Sequence, residues 1–301
     1  MQGRIIKGIA GFYYIDVPGK GVYECKAKGI FRQQGIKPLA GDWAEIEVIS
    51  DTDMTGNIIS IRDRANKLLR PPVVNIDQAL IVFAIVHPEP SYNLLDRFLI
   101  QMRQQEIPVV ICFNKQDIAS PEEQQLLEDT YRNCGYDVVF ISVAEQTGID
   151  DLKAKLKGRT TVMAGPSGVG KSSLINLLHP QAEMETGELS RKIARGRNTT
   201  RHSELFHVKG LGDDTYIIDT PGFTSLYLEN VTTQDLPYYY PEFEPYEDLC
   251  RFRGCSHITE PDCGVKEALE KGEISRIRYA NYCMIYEDLK SMKPTYSRKG
   301  R

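Results

Sequence analysis

TTVMAGPSGVGKSSLINLL, residues 160–178, is the stretch from which the rest of the chain can be read. A short strand-like run, TTVMA, gives way to a glycine-rich turn and then to a helix-forming segment. Gly165, Gly170, Lys171 and Ser172 satisfy the spacing G-x-x-x-x-G-K-S in the strand, loop and helix order that makes the pattern a phosphate-binding loop. Glycines let the backbone N–H groups curl inward. Gly165, Pro166, Ser167, Gly168, Val169, Gly170, Lys171, Ser172 and Ser173 are therefore the expected phosphate cradle. Lys171 would reach the β and γ oxygens, and the Ser172 hydroxyl would face Mg²⁺. Such a loop serves adenine and guanine nucleotides alike, so the base must be read elsewhere.

Downstream, YIIDTPGF (216–223) puts Asp219 at a strand end. Asp219 can hold Mg²⁺ through water and the Gly222 N–H can meet a γ-phosphate. On its own DTPG is a common turn; beside a phosphate loop it gains meaning. Between the two lies ARGRNTTRHSEL, with Thr199 and Thr200. It reads either as a solvated basic loop or as a switch in which one threonine, Thr200 in preference to Thr199, closes on Mg²⁺.

Upstream, VVICF leads into NKQD, residues 114–117. At the C-terminal lip of a parallel strand, Asp117 can accept from N1–H and the exocyclic N2–H₂ of guanine, a donor pair adenine lacks. Asn114 can brace neighbouring loops, the stem of Lys115 can cover the ring, and Gln116 completes the loop. After the next strand, ISVAEQTG offers Ser142, Val143 and Ala144, whose backbone N–H groups can meet guanine O6. The chain order is thus base loop, second base loop, phosphate loop, switch threonines, DTPG. A conventional guanine-nucleotide domain begins with the phosphate loop. Rotation of chain order without loss of neighbourhood is possible where chain ends lie close together.

Around this centre the chain divides into an expected residues 1–68, 69–228 and 229–301. The first reads as glycine-punctuated strands (GRIIKGIAGFYYIDV, GVYECKAKG, GDWAEIEVIS, IISIRDR) whose edges are best hidden in a small barrel. LLRPPVVNID looks like a hinge because Pro71 and Pro72 break regular structure. From residue 79, apolar runs alternate with helical stretches, which means a mostly parallel sheet covered on both faces. The net charge of −4 hides a split: residues 1–70 carry 11 Lys and Arg against 8 acids, residues 250–301 carry 11 against 7, and the middle carries 15 against 26. Basic ends permit a phosphate-rich partner. ALIVFAIV (79–86), the longest apolar run, is too short to span a bilayer and MQGRIIKG carries no secretory signal, so no membrane association and a cytoplasmic location are expected.

Of 7 cysteines, Cys25, Cys112, Cys134 and Cys283 are scattered and read as packing groups. CRFRGCSHITEPDC (250–263) gathers Cys250, Cys255, His257 and Cys263, a set able to build a closed tetrahedral site for one structural Zn²⁺. Ordinary reduced cysteines are the alternative. Arg251, Arg253, Arg276 and Arg278 face either RNA phosphates or solvent on this reading, while Arg32, Lys37 and Tyr13 are candidate RNA contacts on the front barrel. Trp43 is a core residue more readily than a stacking platform.

Together these segments resemble the circularly permuted, ribosome small-subunit-dependent GTPases of bacteria, from the front barrel through NKQD, GPSGVGKSS, RGRNTTRH and DTPGF to the cysteine tail. The resemblance covers essentially the whole chain. It implies an N-terminal oligonucleotide-binding (OB) barrel, a central circularly permuted P-loop GTPase domain and a C-terminal zinc-binding helical domain. It further implies hydrolysis of GTP to GDP and phosphate, stimulated by the small (30S) ribosomal subunit and coupled to its late maturation, with rRNA binding and action as a monomer. The residue after DTPG is Phe223, which cannot orient water as a glutamine does. The resemblance implies a histidine just before the paired threonines, where this chain has Asn198; His202 is a nearby substitute. An RNA-binding GTP switch that hydrolyses slowly and acts mainly by occupancy is therefore the alternative. A kinase or transporter ATPase would leave NKQD without a role.

Overall fold

The structure, a computed structural model, describes residues 1–29, 31, 35–68, 72–180, 203–208, 210–212, 214–219, 228 and 230–291. Arg32, Asn198, Thr199, Thr200, His202, Gly222 and Phe223 lie outside the described residues.

Strands β1 (Gln2–Ile9), β2 (Phe12–Val17), β3 (Gly21–Ala27), β4 (Trp43–Ser50) and β5 (Thr55–Ile61) close a barrel in the order β1-β2-β3-β5-β4. Only β3 and β5 pair in parallel. Alternation along each strand sends Ile5, Ile15, Tyr23, Cys25, Ala44, Ile46 and Ile58 inward, where all are buried. Ala10 and Gly11 (φ 51° and 88°) make the two-residue turn between β1 and β2, the geometry that suits the twist of a tight hairpin.

The central sheet holds β6 (Gln78–Ala84), β7 (Val109–Asn114), β8 (Asp137–Phe140), β9 (Thr160–Ala164), β10 (Glu204–His207) and β11 (Tyr216–Asp219) in the order β10-β11-β9-β6-β7-β8. All pairings are parallel except β10 with β11. Every residue of β6 is buried. Its odd-numbered side chains Ala79, Ile81 and Phe83 pack with α1 (Tyr92–Gln104) and α2 (Pro121–Arg132). Its even-numbered ones, Leu80, Val82 and Ala84, pack with α3 (Ile149–Leu156) and α4 (Lys171–Leu178). Two apolar faces on one strand are the signature of a sheet covered on both sides. Strand β10 was not expected from the sequence. Four residues, ELFH, carry too little pattern to announce an edge strand, and only pairing with β11 defines it.

The described part of the expected hinge, 72–77, is instead packed between barrel and sheet. Val73 and Val74 are fully buried, Val74 N–H donates to Ala40 O (3.2 Å), and Asn75 Nδ2 donates to Gly41 O (3.0 Å). Arg4 of β1 lies buried between the rings of Trp43 and Tyr216, 4.7 and 5.6 Å from their centroids, and donates to Asn75 O (2.8 Å) and Thr160 Oγ1 (3.0 Å). Trp43 thus serves the seam between barrel and sheet.

The C-terminal lobe contains α5 (Glu244–Glu247), α6 (Gly264–Lys271) and α7 (Arg276–Ser291) around Tyr240, Phe243, Tyr282 and Ile285, with Ile100 of α1 in the same core. Here the structure corrects the sequence reading of Arg278, which faces neither RNA nor solvent. It is fully buried, bonding Asp96 of α1 through Nη1 (2.5 Å) and Glu242 through Nε (2.7 Å), while Asn281 Nδ2 donates to the second Asp96 oxygen (2.8 Å). Burial opposes its charge, but Asp96 and Glu242 outweigh that and hold the guanidinium protonated, its pKa well above the ordinary value. Removing it would strand Asp96 as an unpaired buried carboxylate. Arg278→Met is therefore expected to cost about 3–5 kcal/mol in denaturant unfolding, and a loss under 1 kcal/mol would contradict this account of the seam.

Candidate functional site: three loops on one lip

The phosphate loop leaves β9 at Ala164 and enters α4 at Lys171. Its shape needs glycine at both ends. Gly165 has φ 142°, and a Cβ there would stand 2.1 Å from Val82 O of β6. Gly170 caps α4 at φ 97°, and a Cβ there would stand 2.3 Å from Asn114 Nδ2. Neither position has room for a side chain, so the loop lies directly on β6 and on the NKQD turn. Gly165→Ala is expected to weaken nucleotide binding by roughly 5- to 100-fold, since backbone strain costs about 1–3 kcal/mol; fluorescent-nucleotide titration checks it.

Lys171 Nζ donates to Gly165 O (2.8 Å) and Pro166 O (2.6 Å), keeping the ammonium inside the loop. Burial lowers its pKa, and nearby Asp219 partly opposes this. Asp219 ends β11, in register with Met163 of β9, so it stands at the root of the phosphate loop. Ser172 and Ser173 occupy the first turn of α4, whose N–H groups face the loop. Val169 is fully buried, whereas Ser167 and Gly168 are exposed at the tip.

Asn114 binds the three loops together. It is 3% exposed at the end of β7. Its Nδ2 donates to Val169 O of the phosphate loop (2.8 Å). Its Oδ1 accepts from Lys115 N (2.8 Å) and from Val143 N of the second base loop (3.1 Å). NKQD, ISVAEQTG and GPSGVGKSS therefore meet at one side chain, as their expected roles require. Lys115 takes a left-handed conformation (φ 69°), and its ammonium donates to the carbonyl of His87, a residue the sequence did not single out. Gln116 and Asp117 begin a short 3-10 turn in which Asp117 is exposed toward solvent. Ser142 is fully buried, its hydroxyl accepting from Glu145 N (3.0 Å).

In the C-terminal lobe, Cys250, Cys255, His257 and Cys263 offer four ligand atoms all within 4.8 Å of one another. Cys250 Sγ lies 3.8 Å from Cys263 Sγ and 3.6 Å from His257 Nδ1, and the last two atoms are 3.3 Å apart. A tetrahedron with zinc–sulfur bonds of about 2.3 Å and a zinc–nitrogen bond of about 2.0 Å has edges of roughly 3.5–3.8 Å. The donor set and its spacing therefore fit zinc. Glu260, unmarked in the sequence reading, braces this loop by accepting from Ser256 N (2.9 Å), Ser256 Oγ (2.7 Å) and Ile258 N (3.2 Å). Burial works against its charge, yet these hydrogen bonds bring its pKa down to about 2. Tyr279 and Tyr282 of α7 donate to His257 O (2.6 Å) and Ser256 O (2.5 Å), tying the cluster to the lobe's core.

A parallel sheet with a phosphate loop after β9 and its NKQD partner earlier in the chain, after β7, defines a circularly permuted P-loop GTPase domain, here preceded by a five-stranded OB-like barrel. The sequence matches the model of the RsgA GTPase over residues 61–229 and that of the RsgA N-terminal domain over residues 2–58. The small ribosomal subunit biogenesis GTPase RsgA of Agathobacter rectalis is 54% identical, covering 97% of this chain and 99% of its own; that of Alkaliphilus metalliredigens is 45% identical, covering 96% and 98%. Among solved structures, YloQ, a circularly permuted GTPase, superposes with a TM-score of 0.77 at 37% identity, covering 98% of this chain and 96% of its own. YjeQ from Thermotoga maritima gives 0.79 at 33% identity, covering 97% and 99%. The chain belongs to the RsgA family of circularly permuted GTPases. Among the described residues, no helix is long and apolar enough to cross a membrane.

Proposed function

We propose that this protein hydrolyses GTP to GDP and phosphate and couples that reaction to late maturation of the small (30S) ribosomal subunit, binding its rRNA and turning over faster on the particle. The observation that carries the nucleotide reading is Asn114, which joins the base loop, the second base loop and the phosphate loop through its two amide atoms. Around it, Asp117 reads the N1–H and N2–H₂ edge of guanine, Lys115 covers the ring, and the N–H group of Ala144 meets O6, that of Val143 being held by Asn114. Residues 165–173 cradle the phosphates, with Lys171 on the β and γ oxygens. Ser172 and Thr200 would hold Mg²⁺, with Asp219 behind it; the ion supplies neutralisation of phosphate charge. The Gly222 N–H addresses the γ-phosphate. Cys250, Cys255, His257 and Cys263 would hold one structural Zn²⁺, because four protein donors leave no open position.

The ribosomal part of the proposal rests on the relatives' biogenesis role and on the basic balance of residues 1–70 and 250–301. Single-turnover GTP hydrolysis with and without purified small subunits tests it. Stimulation specific to the small subunit supports the reading; equal rates with both subunits, or with none, would overturn it. Asn198→His in the same assay asks whether Asn198 limits the rate, and a faster variant is the expected result.

A further inference from the structure

We propose that Gln116 and Thr147 form a clamp that sets the reading of the purine 6-oxo group, so that both act as positioning residues for base specificity. The inference deepens the guanine reading above and rests on it.

The second base loop, Ser142–Thr147, is closed on itself by two backbone bonds, Ser142 N to Thr147 O (3.0 Å) and Thr147 N to Ser142 O (3.1 Å). It is therefore a small rigid hoop whose attitude depends on where its two arms are tied. One arm is tied at Val143 N, which donates to Asn114 Oδ1 (3.1 Å). The other is tied at Thr147 Oγ1, which accepts from Gln116 Nε2 (2.7 Å). Gln116 is itself fixed: its N–H donates to Ile141 O (3.1 Å), and its carbonyl accepts from Gln124 Nε2 of α2 (3.3 Å). Alternate residues of NKQD, the first and the third, thus hold opposite sides of the hoop. Between the two ties lies the Ala144 N–H group that would address O6, the Val143 N–H being spent on Asn114.

Above its base at Ile141, whose N–H donates to Phe113 O (2.9 Å), Asn114 alone would hold only the Val143 side of the hoop. The Gln116 tie holds the other side. The angle at which the Ala144 N–H meets O6 then follows from a side-chain pair outside the purine's own contacts. Hydrogen-bond strength falls steeply with angle, so losing the tie should cost recognition of O6 specifically. Asp117 reads the opposite corner of the base, N1–H and N2–H₂, from a turn whose backbone Ile141 O and Gln124 hold without Thr147.

The test compares three diphosphates by isothermal titration: GDP, 6-thio-GDP, whose sulfur is a poorer acceptor in place of O6, and IDP, which lacks N2. The unaltered protein should favour GDP over both. In Thr147→Val the preference for GDP over 6-thio-GDP should shrink about three- to tenfold, while the preference over IDP is retained. Gln116→Leu should show the same loss of O6 discrimination, and the double variant no more than either single one. Gln116→Glu should restore it, because the Thr147 hydroxyl can then donate to the carboxylate. Unchanged 6-thio-GDP discrimination in Thr147→Val, or equal erosion of both preferences, would overturn the clamp. An unaltered protein with no preference for GDP over IDP and 6-thio-GDP would instead overturn the guanine reading itself.

Discussion

Asp117→Asn is expected to weaken GTP binding about 10²- to 10⁴-fold and to make a xanthosine nucleotide the better ligand. The carboxylate at the start of the short turn after Lys115 would accept two hydrogen bonds from guanine, from N1–H and N2–H₂. Hydrogen bonds to charged groups are worth about 1.5–3 kcal/mol each. An asparagine there keeps an acceptor for N1–H but turns an N–H₂ toward N2–H₂, so donor meets donor. Xanthine carries a carbonyl at that carbon and restores the match. The exchange should appear in competition binding as reversed preference between GTP and XTP, with ATP weak throughout. Should ATP bind the unaltered protein as tightly as GTP, Asp117 has no base to read and the nucleotide assignment fails.

Withdrawal of the proposed zinc is expected to have the second large effect. A lobe whose core gathers on Tyr240, Phe243, Tyr282 and Ile285 hangs its ligand loop from two tyrosine hydroxyls and one carboxylate, Glu260. Metal binding to such a set contributes about 10–16 kcal/mol of apparent free energy in small zinc modules. Without the ion, three thiols and an imidazole would be left crowded together with no common partner. Cys263→Ala, or a strong chelator, is expected to remove one equivalent of zinc and to strip hydrogen-exchange protection from residues 250–263 and the facing turn of α7. The GTPase core should keep its protection, since its two apolar faces are built from other residues. Unchanged zinc content and protection in Cys263→Ala would remove this ion from the structure's account.

The two effects separate what was readable along the chain from what was not. The phosphate loop was legible because its chemistry is contiguous: a backbone cradle needs glycines at fixed offsets, and Gly165 and Gly170 hold positive φ. The parallel strands were legible for a similar reason, as β6 buries both faces and writes an unbroken apolar run. Arg278 was misread because its partner Asp96 lies 182 residues earlier, and an arginine on a helix reads as solvated until something covers it. The supposed hinge was misread because two prolines describe only local stiffness, whereas Val73 and Val74 are buried by elements from both sides. Strand β10 needed β11 beside it.

From its sequence alone this protein's chemistry could be proposed: a phosphate cradle, a carboxylate for the base and a thiolate–imidazole set for a metal, each carried by a short stretch of suitable residue types. The tertiary structure decided how those stretches act together. It brought Asn114 into contact with two loops that follow it in the chain, tied Gln116 to Thr147, and fastened the C-terminal lobe to α1 through Arg278. Local covalent order sets which groups a segment can offer, but a hydrogen bond forms only between atoms about 3 Å apart, and for residues distant in the chain that separation is a property of the fold.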